Sequence, residues 1–231
     1  MDILSYLKRV WTGTCNKLEF MIWLCIAFGV YVLGIIVGAA VYPGGFTMLE
    51  VYVSYLGGYP NNPDGYAFYN TCTLIAGILI APEYLYLYRK LKPAMKWVNF
   101  IGSLFGIFGA LSFASLGIFY QGFDADLHQW STILTFGGFG VNAGLYMIVM
   151  IRRSAWKKDW PKWWQIVLVY AIMFGILIST IIADEYPGWF DSWNLDPKVF
   201  EDKFLEWWYV FAVMSWVISV PAITPSGRVD A

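Results

Sequence analysis

The stretch FMIWLCIAFGVYVLGIIVGAAVY, residues 20–42, contains no charged side chain. A helix needs about 20 apolar residues to cross the hydrocarbon layer of a bilayer, so this stretch is long enough to span one. Similar runs recur along the chain. The six runs lie near residues 19–43, 66–88, 97–119, 129–151, 164–183 and 204–223. The pattern predicts an all-α polytopic membrane protein that folds as a six-transmembrane-helix bundle.

Composition supports one membrane domain over residues 1–231. Of the 231 residues, 59% are hydrophobic and only 13% are charged, against roughly 25% charged in a soluble domain. Six spans leave little chain for a separate soluble domain. Residues 1–18 precede the first span, and their apolar side chains fall on one helical face. This segment is interpreted either as an interfacial helix on the membrane surface or as a frayed polar lead-in.

Basic residues concentrate on alternate loops. Thirteen of the 15 Lys and Arg residues lie before span one, between spans two and three, between spans four and five, and after span six. The positive-inside rule then places both termini in the cytoplasm, as an even number of spans also requires. Basic residues beside a membrane attract anionic lipid headgroups. We therefore expect membrane lipids as partners and no nucleic acid.

Glycines spaced four apart predict close packing between helices, since small residues let helix backbones approach. The GxxxG pairs are Gly34 with Gly38, Gly102 with Gly106, and Gly140 with Gly144, the last preceded by Gly137 and Gly138. The preferred interpretation is tight packing of the third and fourth spans within one bundle.

Span two contains Pro82 followed by Glu83. Proline removes a backbone donor, so the helix should weaken there. An ionisable group at membrane depth is a functional candidate by default. For Glu83, the alternatives are pairing with another span and a carboxylate near the interface that balances the inner basic residues.

The candidate catalytic and metal-binding residues lie mainly in or beside the outer loops. The one histidine, His128, follows Asp124 and Asp126 and predicts a general base or a pH-sensitive group. One histidine cannot by itself build the multi-histidine zinc site used by many membrane hydrolases, since three protein ligands are normal. A weaker prediction is a calcium-type site among acidic residues, namely Asp64, Asp124, Asp126, Asp184 and Glu185. The competing interpretation is a cluster that caps helices and orders loops. No sequence motif predicts a cofactor.

Four segments, in order, resemble the Frag/DRAM/Sfk superfamily of six-span membrane proteins and related prokaryotic families of unknown function. They are YVSYLGGYPNNPDGYAFYN (Tyr52–Asn70), GIFYQGFDADLH (Gly117–His128), ILTFGGFGVNAGLYM (Ile133–Met147) and LEWWYVFAVMSWV (Leu205–Val217). Tyr55 stands where the family often has aspartate. The resemblance implies a role connected with lipids, such as lipid-anchor remodelling or lipid asymmetry. By matching position it makes His128, Glu206 and Ser54 the first residues to test.

Three classes of function follow. The first is a lipid-interacting or membrane-organising protein that holds a lipid between its helices, without demonstrable catalysis. The second is a lipid-modifying enzyme with an outer-face site around His128, Asp124, Asp126 and Glu206. The third is a small transporter or channel. An outer cavity lined by His128 and Glu206 would favour the enzyme, and a lipid-filled apolar cleft would favour the binder.

Overall fold

The computed structural model describes residues 2–91, 95–155, 163–185 and 202–224. These residues form eight α-helices and one short 3-10 helix, and no strand occurs among them. The elements are α1 (Ile3–Trp11), α2 (Lys17–Ala40), the 3-10 helix η1 (Val53–Gly57), α3 (Tyr66–Ile80), α4 (Pro82–Leu91), α5 (Lys96–Leu116), α6 (Ala125–Ser154), α7 (Trp163–Glu185) and α8 (Asp202–Ile223).

Five helical segments are long and apolar enough to cross a membrane. They are Lys17–Ala40, Tyr66–Leu91, Lys96–Leu116, Ala125–Ser154 and Lys203–Ile223. Their positions agree with five of the six predicted spans. The remaining predicted span, near 164–183, falls on α7, which is apolar over Trp163–Gly175. The fold is therefore all-helical, with the helices of a multi-pass membrane protein.

Span two is divided, as Pro82 predicts. Helix α3 ends at Ile80 and α4 begins at Pro82, with Ala81 between them. Trp23 Nε1 of α2 donates a hydrogen bond of 2.7 Å to the Leu79 carbonyl at this break. A side chain from the neighbouring helix thus stabilises a carbonyl exposed where the helix is interrupted.

Two of the three predicted glycine contacts are confirmed. A Cβ atom on Gly34 would lie 2.6 Å from Cys72 Cβ, and one on Gly102 would lie 3.1 Å from the Tyr146 ring. The contact predicted for the third pair is wrong. A Cβ atom on Gly140 or Gly144 would have no neighbour among the described residues within 4 Å. They lie on the face of α6 that points away from the helix it packs against.

The contact between α5 and α6 uses a different glycine. A Cβ atom on Gly138 would lie 2.7 Å from Gly109 Cα. Around this close approach, Ser115 donates to Ser131 at 3.0 Å and Asn142 Nδ2 donates to the Gly102 carbonyl at 2.6 Å. These two helices therefore pack backbone to backbone with polar bonds across the seam.

The N-terminal segment folds as α1 rather than as a frayed lead-in. Asp2 caps it by accepting hydrogen bonds from the amides of Leu4 and Ser5. Arg9 forms a salt bridge of 2.7 Å with Glu19 of α2. The apolar residues of α1 divide between two environments, since Val10 is fully buried while Leu4 is exposed.

We call the end of the bundle beside α1 the basic end, because α1, the last turn of α4 and the last turn of α6 place basic residues there. These are Lys8, Arg9, Arg89, Lys90, Arg152 and Arg153. Cys15, in the turn between α1 and α2, lies at the same end. Burial raises the pKa of its thiol to about 11.

We call the opposite end, formed by residues 41–65 and 117–124, the loop end. Its segment Phe46–Leu56 is apolar enough either to lie in the membrane interface or to fold onto the bundle, and the structure shows the second, with Val51, Val53 and Leu56 buried. Trp207 Nε1 of α8 donates to the Val51 carbonyl at 2.7 Å. The second loop expected to cover this end, Pro187–Lys203, lies outside the described residues except for its last two positions.

The turn at residues 61–65 does not cap α3 with a side chain, although its Asn and Asp residues are of the types common at N-caps. The N-cap residue is Gly65, which has no side chain to offer. The Asn62 side chain instead bonds α2 and η1, since its Nδ2 donates to the carbonyls of Gly38 and Leu56 at 3.0 Å each. The turn thus ties the end of α2 to η1.

Candidate functional site

A cavity of about 50 Å³ lies at the loop end, between η1 and helices α2, α3, α5, α6 and α8. This volume admits a few water molecules, since one water needs about 10–15 Å³ measured in this way. Its polar lining consists of Ser54, Asn70, Thr73, Gln121, His128, Thr132 and Glu206, with tyrosines Tyr31, Tyr69 and Tyr120. The three residues assigned by resemblance, Ser54, His128 and Glu206, therefore line one cavity.

His128 reaches the cavity from the first turn of α6. Its Nδ1 lies 2.8 Å from the Phe119 carbonyl oxygen. Since a carbonyl only accepts, Nδ1 is the donor in this bond, and the neutral ring then keeps Nε2 as an acceptor. The backbone of residue 119 thus sets the orientation and tautomer of the imidazole, as a catalytic or ligand-binding histidine requires.

The two aspartates near His128 do not assist it. Asp124 is the N-cap residue of α6, and its carboxylate accepts from the Leu127 amide at 2.9 Å. Asp126 is exposed in the first turn. Acidic groups at a helix N-terminus favour the helix dipole. For these two positions the capping interpretation is the one the geometry supports.

Glu206 lies in the first turns of α8 and contacts η1. The Ser54 amide donates to Glu206 Oε2 at 3.5 Å, and the Val53 amide and Ser54 hydroxyl also bond this carboxyl group. The N-terminus of a helix presents unsatisfied N–H groups, which suit a carboxylate. Glu206 therefore holds η1 over the cavity, and among the described residues it contributes the only acidic side chain to the lining.

Two tyrosines lie deeper in the cavity. The hydroxyl oxygens of Tyr31 on α2 and Tyr69 on α3 are 3.3 Å apart. The Tyr31 ring packs edge-on against Phe113 of α5, with ring centroids 5.1 Å apart. Both tyrosines are buried. They mark the level at which the polar lining gives way to apolar side chains.

A second, apolar chamber of about 30 Å³ adjoins this cavity. The cavity and the chamber share four lining residues, Tyr31, Phe113, Phe136 and Val210. The chamber continues toward the middle of the bundle between apolar side chains, among them Phe28, Ile80, Phe139, Val213, Met214 and Val217. Together they form one amphipathic pocket, polar at the loop end and apolar below.

The acidic residues predicted to bind calcium are not gathered by the described structure. Asp64, Asp124 and Asp126 are exposed, and the described residues contain no group of three or more His, Cys, Asp or Glu placed to hold a metal ion. The side chains of Asp184 and Glu185 lie outside the described part. The calcium site stays a prediction.

Glu83 occupies a different part of the molecule from His128 and Glu206. It lies in the first turn of α4, is fully buried, and neither carboxyl oxygen has a hydrogen-bond partner among the described residues. The predicted pairing with another span is therefore not observed. The alternative, a carboxylate near the interface that balances the inner basic residues, stays a prediction, and the Glu83 side chain itself is fully buried.

Sequence reasoning missed the tyrosines and amides of the pocket. Tyr31, Tyr69 and Asn70 stand inside apolar runs, where aromatic and single polar residues are common and carry no pattern. Asn70 Nδ2 donates to the Gly57 carbonyl at 2.9 Å. The sequence offered one signal, since Asn70 is a polar residue within an apolar span. Its partner Gly57, however, is 13 residues away in η1, and the sequence does not show that the two meet.

Comparisons with protein-family models, with curated proteins and with solved structures found no match to this chain. The class of protein is therefore defined by the fold and the site alone. It is a helical, multi-pass membrane protein with an amphipathic pocket at its loop end.

Proposed function

We propose that this protein binds one amphiphilic lipid molecule between its helices. The observation that supports this proposal is the pocket itself. Its polar cavity adjoins an apolar chamber, and the two share the lining residues Tyr31, Phe113, Phe136 and Val210. A lipid has the same arrangement, a polar headgroup joined to a hydrocarbon chain. The headgroup lies beside Ser54, His128 and Glu206, and the first methylene groups enter the chamber.

The lining indicates the kind of headgroup. Glu206 is the one acidic residue that lines the cavity, and none of the described lining residues is Lys or Arg. A phosphate without a basic partner is poorly matched to such a site. Hydroxyl and ammonium groups donate hydrogen bonds to carboxylate, imidazole and amide oxygen or nitrogen acceptors. We therefore assign a hydroxyl-bearing or amine-bearing headgroup to the cavity.

We propose that the lipid enters the pocket from the bilayer between α6 and α8. Phe136 of α6 and Tyr209 of α8 meet there edge to face, with ring centroids 4.1 Å apart. Phe136 and Met214 are half-buried, and a methionine side chain adapts readily to irregular apolar shapes. Between α6 and α8 the pocket wall consists of side chains. Changes in their rotamers are therefore enough to admit a hydrocarbon chain.

Filling the junction of the pocket tests the proposal. Val210 is 8% exposed and lines both the cavity and the chamber, whereas its neighbour Phe211 is 39% exposed. We expect Val210→Trp to lose lipid that co-purifies with the wild type in gentle detergent, measured by native mass spectrometry. Phe211→Trp is the matched control and should retain it. Equal lipid in Val210→Trp and the wild type, with both folded, would exclude this binding site.

The second candidate function is a lipid-modifying enzyme. It is favoured by one observation, that His128 with an oriented imidazole, Glu206 and Ser54 line the same cavity. His128 Nε2 would act as the general base and Glu206 as the acid. Purified protein incubated with ester-bearing and amide-bearing lipids should then release a product detected by mass spectrometry. His128→Gln should abolish product formation without loss of bound lipid. If the wild type forms no product, the enzyme is excluded and the binder stands.

Together with lipid binding, we propose a family and a membrane topology for this protein. All four segments that resemble the Frag/DRAM/Sfk superfamily contribute to the pocket, through Ser54, His128, Phe136 and Glu206, which supports a shared lipid-related role. We also propose that α7 is a sixth span in a six-helix bundle. Both termini then lie in the cytoplasm of a cell-membrane protein, with the loop end outside. The alternating distribution of basic residues supports this orientation.

A further inference from the structure

Glu83 is a buried carboxyl group that the lipid pocket does not use. Its exposed fraction is 0%, and neither carboxyl oxygen has a hydrogen-bond partner among the described residues. The hydroxyl of Tyr84, the next residue, is also buried without a partner. An uncompensated pair of polar groups at this depth calls for an explanation, because each unmet hydrogen bond costs about 1–3 kcal/mol.

Among the described residues, the groups that interact electrostatically with Glu83 are phenols and include no Lys or Arg. The described groups that interact with it electrostatically are Tyr84 on α4, Tyr146 on α6 and Tyr170 on α7. Trp216 of α8 lies beside Tyr170, with ring centroids 6.4 Å apart. From α2, the Trp23 indole is already bonded to the Leu79 carbonyl.

An ionised carboxylate in this environment would be costly. Burying one without a partner costs several kcal/mol even after the protein relaxes. Such a group usually becomes neutral by taking up a proton. Sodium is less well matched, because the neighbouring tyrosine hydroxyls and indole provide N–H and O–H groups rather than a shell of carboxylate and carbonyl oxygens. The occupant that this site fits is a proton.

A chain of hydroxyl groups leads from this region toward the basic end. The Tyr146 hydroxyl lies 3.5 Å from the Tyr84 carbonyl oxygen and 2.8 Å from Ser103 Oγ of α5. Ser103 in turn donates to the Asn99 carbonyl at 2.7 Å. Asn99 lies in the first turn of α5, and its Nδ2 donates to the Tyr88 carbonyl near the end of α4 at 2.7 Å.

A hydroxyl group can both donate and accept a hydrogen bond, which is the property that a proton route requires. We propose that Glu83 is a proton-binding site and that, when its carboxyl group turns toward the Tyr146 hydroxyl, it exchanges its proton with water at the basic end through the hydroxyls of Tyr146 and Ser103. In loading, a proton from water at the basic end is added to the Glu83 carboxylate. In release, the carboxylic acid O–H breaks and the proton returns by the same route.

The site is separate from the lipid pocket but close to it in sequence. Ile80 lines the apolar chamber and lies three residues before Glu83, across the break at Ala81 and Pro82. A helix interrupted beside an ionisable group is a recurring arrangement at ion sites of membrane transporters. The proposal does not depend on lipid binding and can be tested in protein that carries no lipid.

Infrared spectroscopy of the full chain in nanodiscs tests the proposal. We expect a carbonyl stretch from a protonated carboxylic acid at neutral pH that is lost in Glu83→Gln and kept in Glu206→Gln. Glutamine closely matches the neutral acid in shape, so this variant should fold. An unchanged band in Glu83→Gln would overturn the proposal. So would loss of the wild-type band on replacing choline chloride by sodium chloride, which would assign a sodium site instead.

The exchange route has its own test. In deuterated water the Glu83 band should shift, and the shift should be slower in Ser103→Ala than in the wild type. Ser112→Ala is the matched control, since Ser112 is buried on the same helix outside the hydroxyl chain. A wild-type band that does not shift, or equal rates in the two serine variants, would overturn the route. This comparison also holds if Glu83→Gln fails to fold.

Discussion

Asn62 shows how one side chain organises the loop end. It is fully buried, and its two amide N–H groups bond the carbonyls of Gly38 and Leu56. The Gly38 carbonyl lies in the last turn of α2, where carbonyls lack helical donors. The Leu56 carbonyl is four residues before Pro60, which has no N–H to offer. Asn62 therefore stabilises two acceptors that the backbone leaves without partners.

Replacing Asn62 by leucine should lower the free energy of unfolding by about 1–3 kcal/mol, because buried carbonyls would lose their donor. Thermal or denaturant unfolding in detergent measures this change. Asn61→Ala is the matched control, since Asn61 is half-buried and adjacent, and it should change stability by less than about 0.5 kcal/mol. Equal effects of the two substitutions would show that the hydrogen bonds of Asn62 contribute little.

At the scale of elements, the seam between α5 and α6 depends on which glycine faces the partner helix. Gly138 lies against Gly109, while Gly140, two residues later, has open space where a Cβ atom would be. Two residues correspond to about 200° of rotation around a helix. The two glycines therefore face opposite directions, and only one of them sets the distance between the helices.

Gly138→Ala should lower stability by about 1–3 kcal/mol, since the added methyl group forces two backbones apart. Gly140→Ala should leave stability unchanged or raise it by up to about 1 kcal/mol, because alanine is the better helix former. Unfolding of both variants in the same detergent compares them directly. A destabilisation of similar size in Gly140→Ala would mean that a further partner covers that face of α6.

At the scale of the whole molecule, the number of spans decides the topology. Five segments meet the length and hydropathy needed for crossing, and α7 contributes a sixth apolar helix. With six spans both termini lie on one side of the membrane, and with five they lie on opposite sides. The basic residues at the two ends of the chain favour six.

Reporter fusions test this topology. Reporters at the N-terminus and the C-terminus should both indicate the cytoplasm. A reporter inserted between Gly44 and Gly45 should indicate the outside. Both glycines are exposed, and a Cβ atom on either would meet no described residue within 4 Å. Termini on opposite sides would show that α7 does not cross the membrane.

Much of the fold follows from local pattern. Long apolar runs must satisfy their own backbone hydrogen bonds in lipid, so they form helices whatever their neighbours are. The break at Pro82 also follows from one residue, because proline lacks the N–H that the helix needs. The glycine motifs were less informative, since spacing alone does not say which face of α6 meets a partner.

The candidate site was predictable only in part. Ser54, His128 and Glu206 were chosen one by one, and their meeting at one cavity depends on the packing of η1, α6 and α8. Asp124 was expected beside His128, yet its carboxylate bonds the Leu127 amide. A helix N-terminus offers unpaired N–H groups within one turn, and an aspartate at the N-cap binds those first.

The sequence by itself determined that the chain is helical, apolar over membrane-spanning lengths and interrupted at Pro82. Those properties depend on backbone hydrogen bonding and burial, which act within a few neighbouring residues. Only the tertiary structure decided that a polar cavity adjoins an apolar chamber and that Glu83 is buried without a hydrogen-bond partner among the described residues. The pocket and the burial of Glu83 both depend on side chains that are far apart in the sequence. Helix packing decides which of these side chains meet in space.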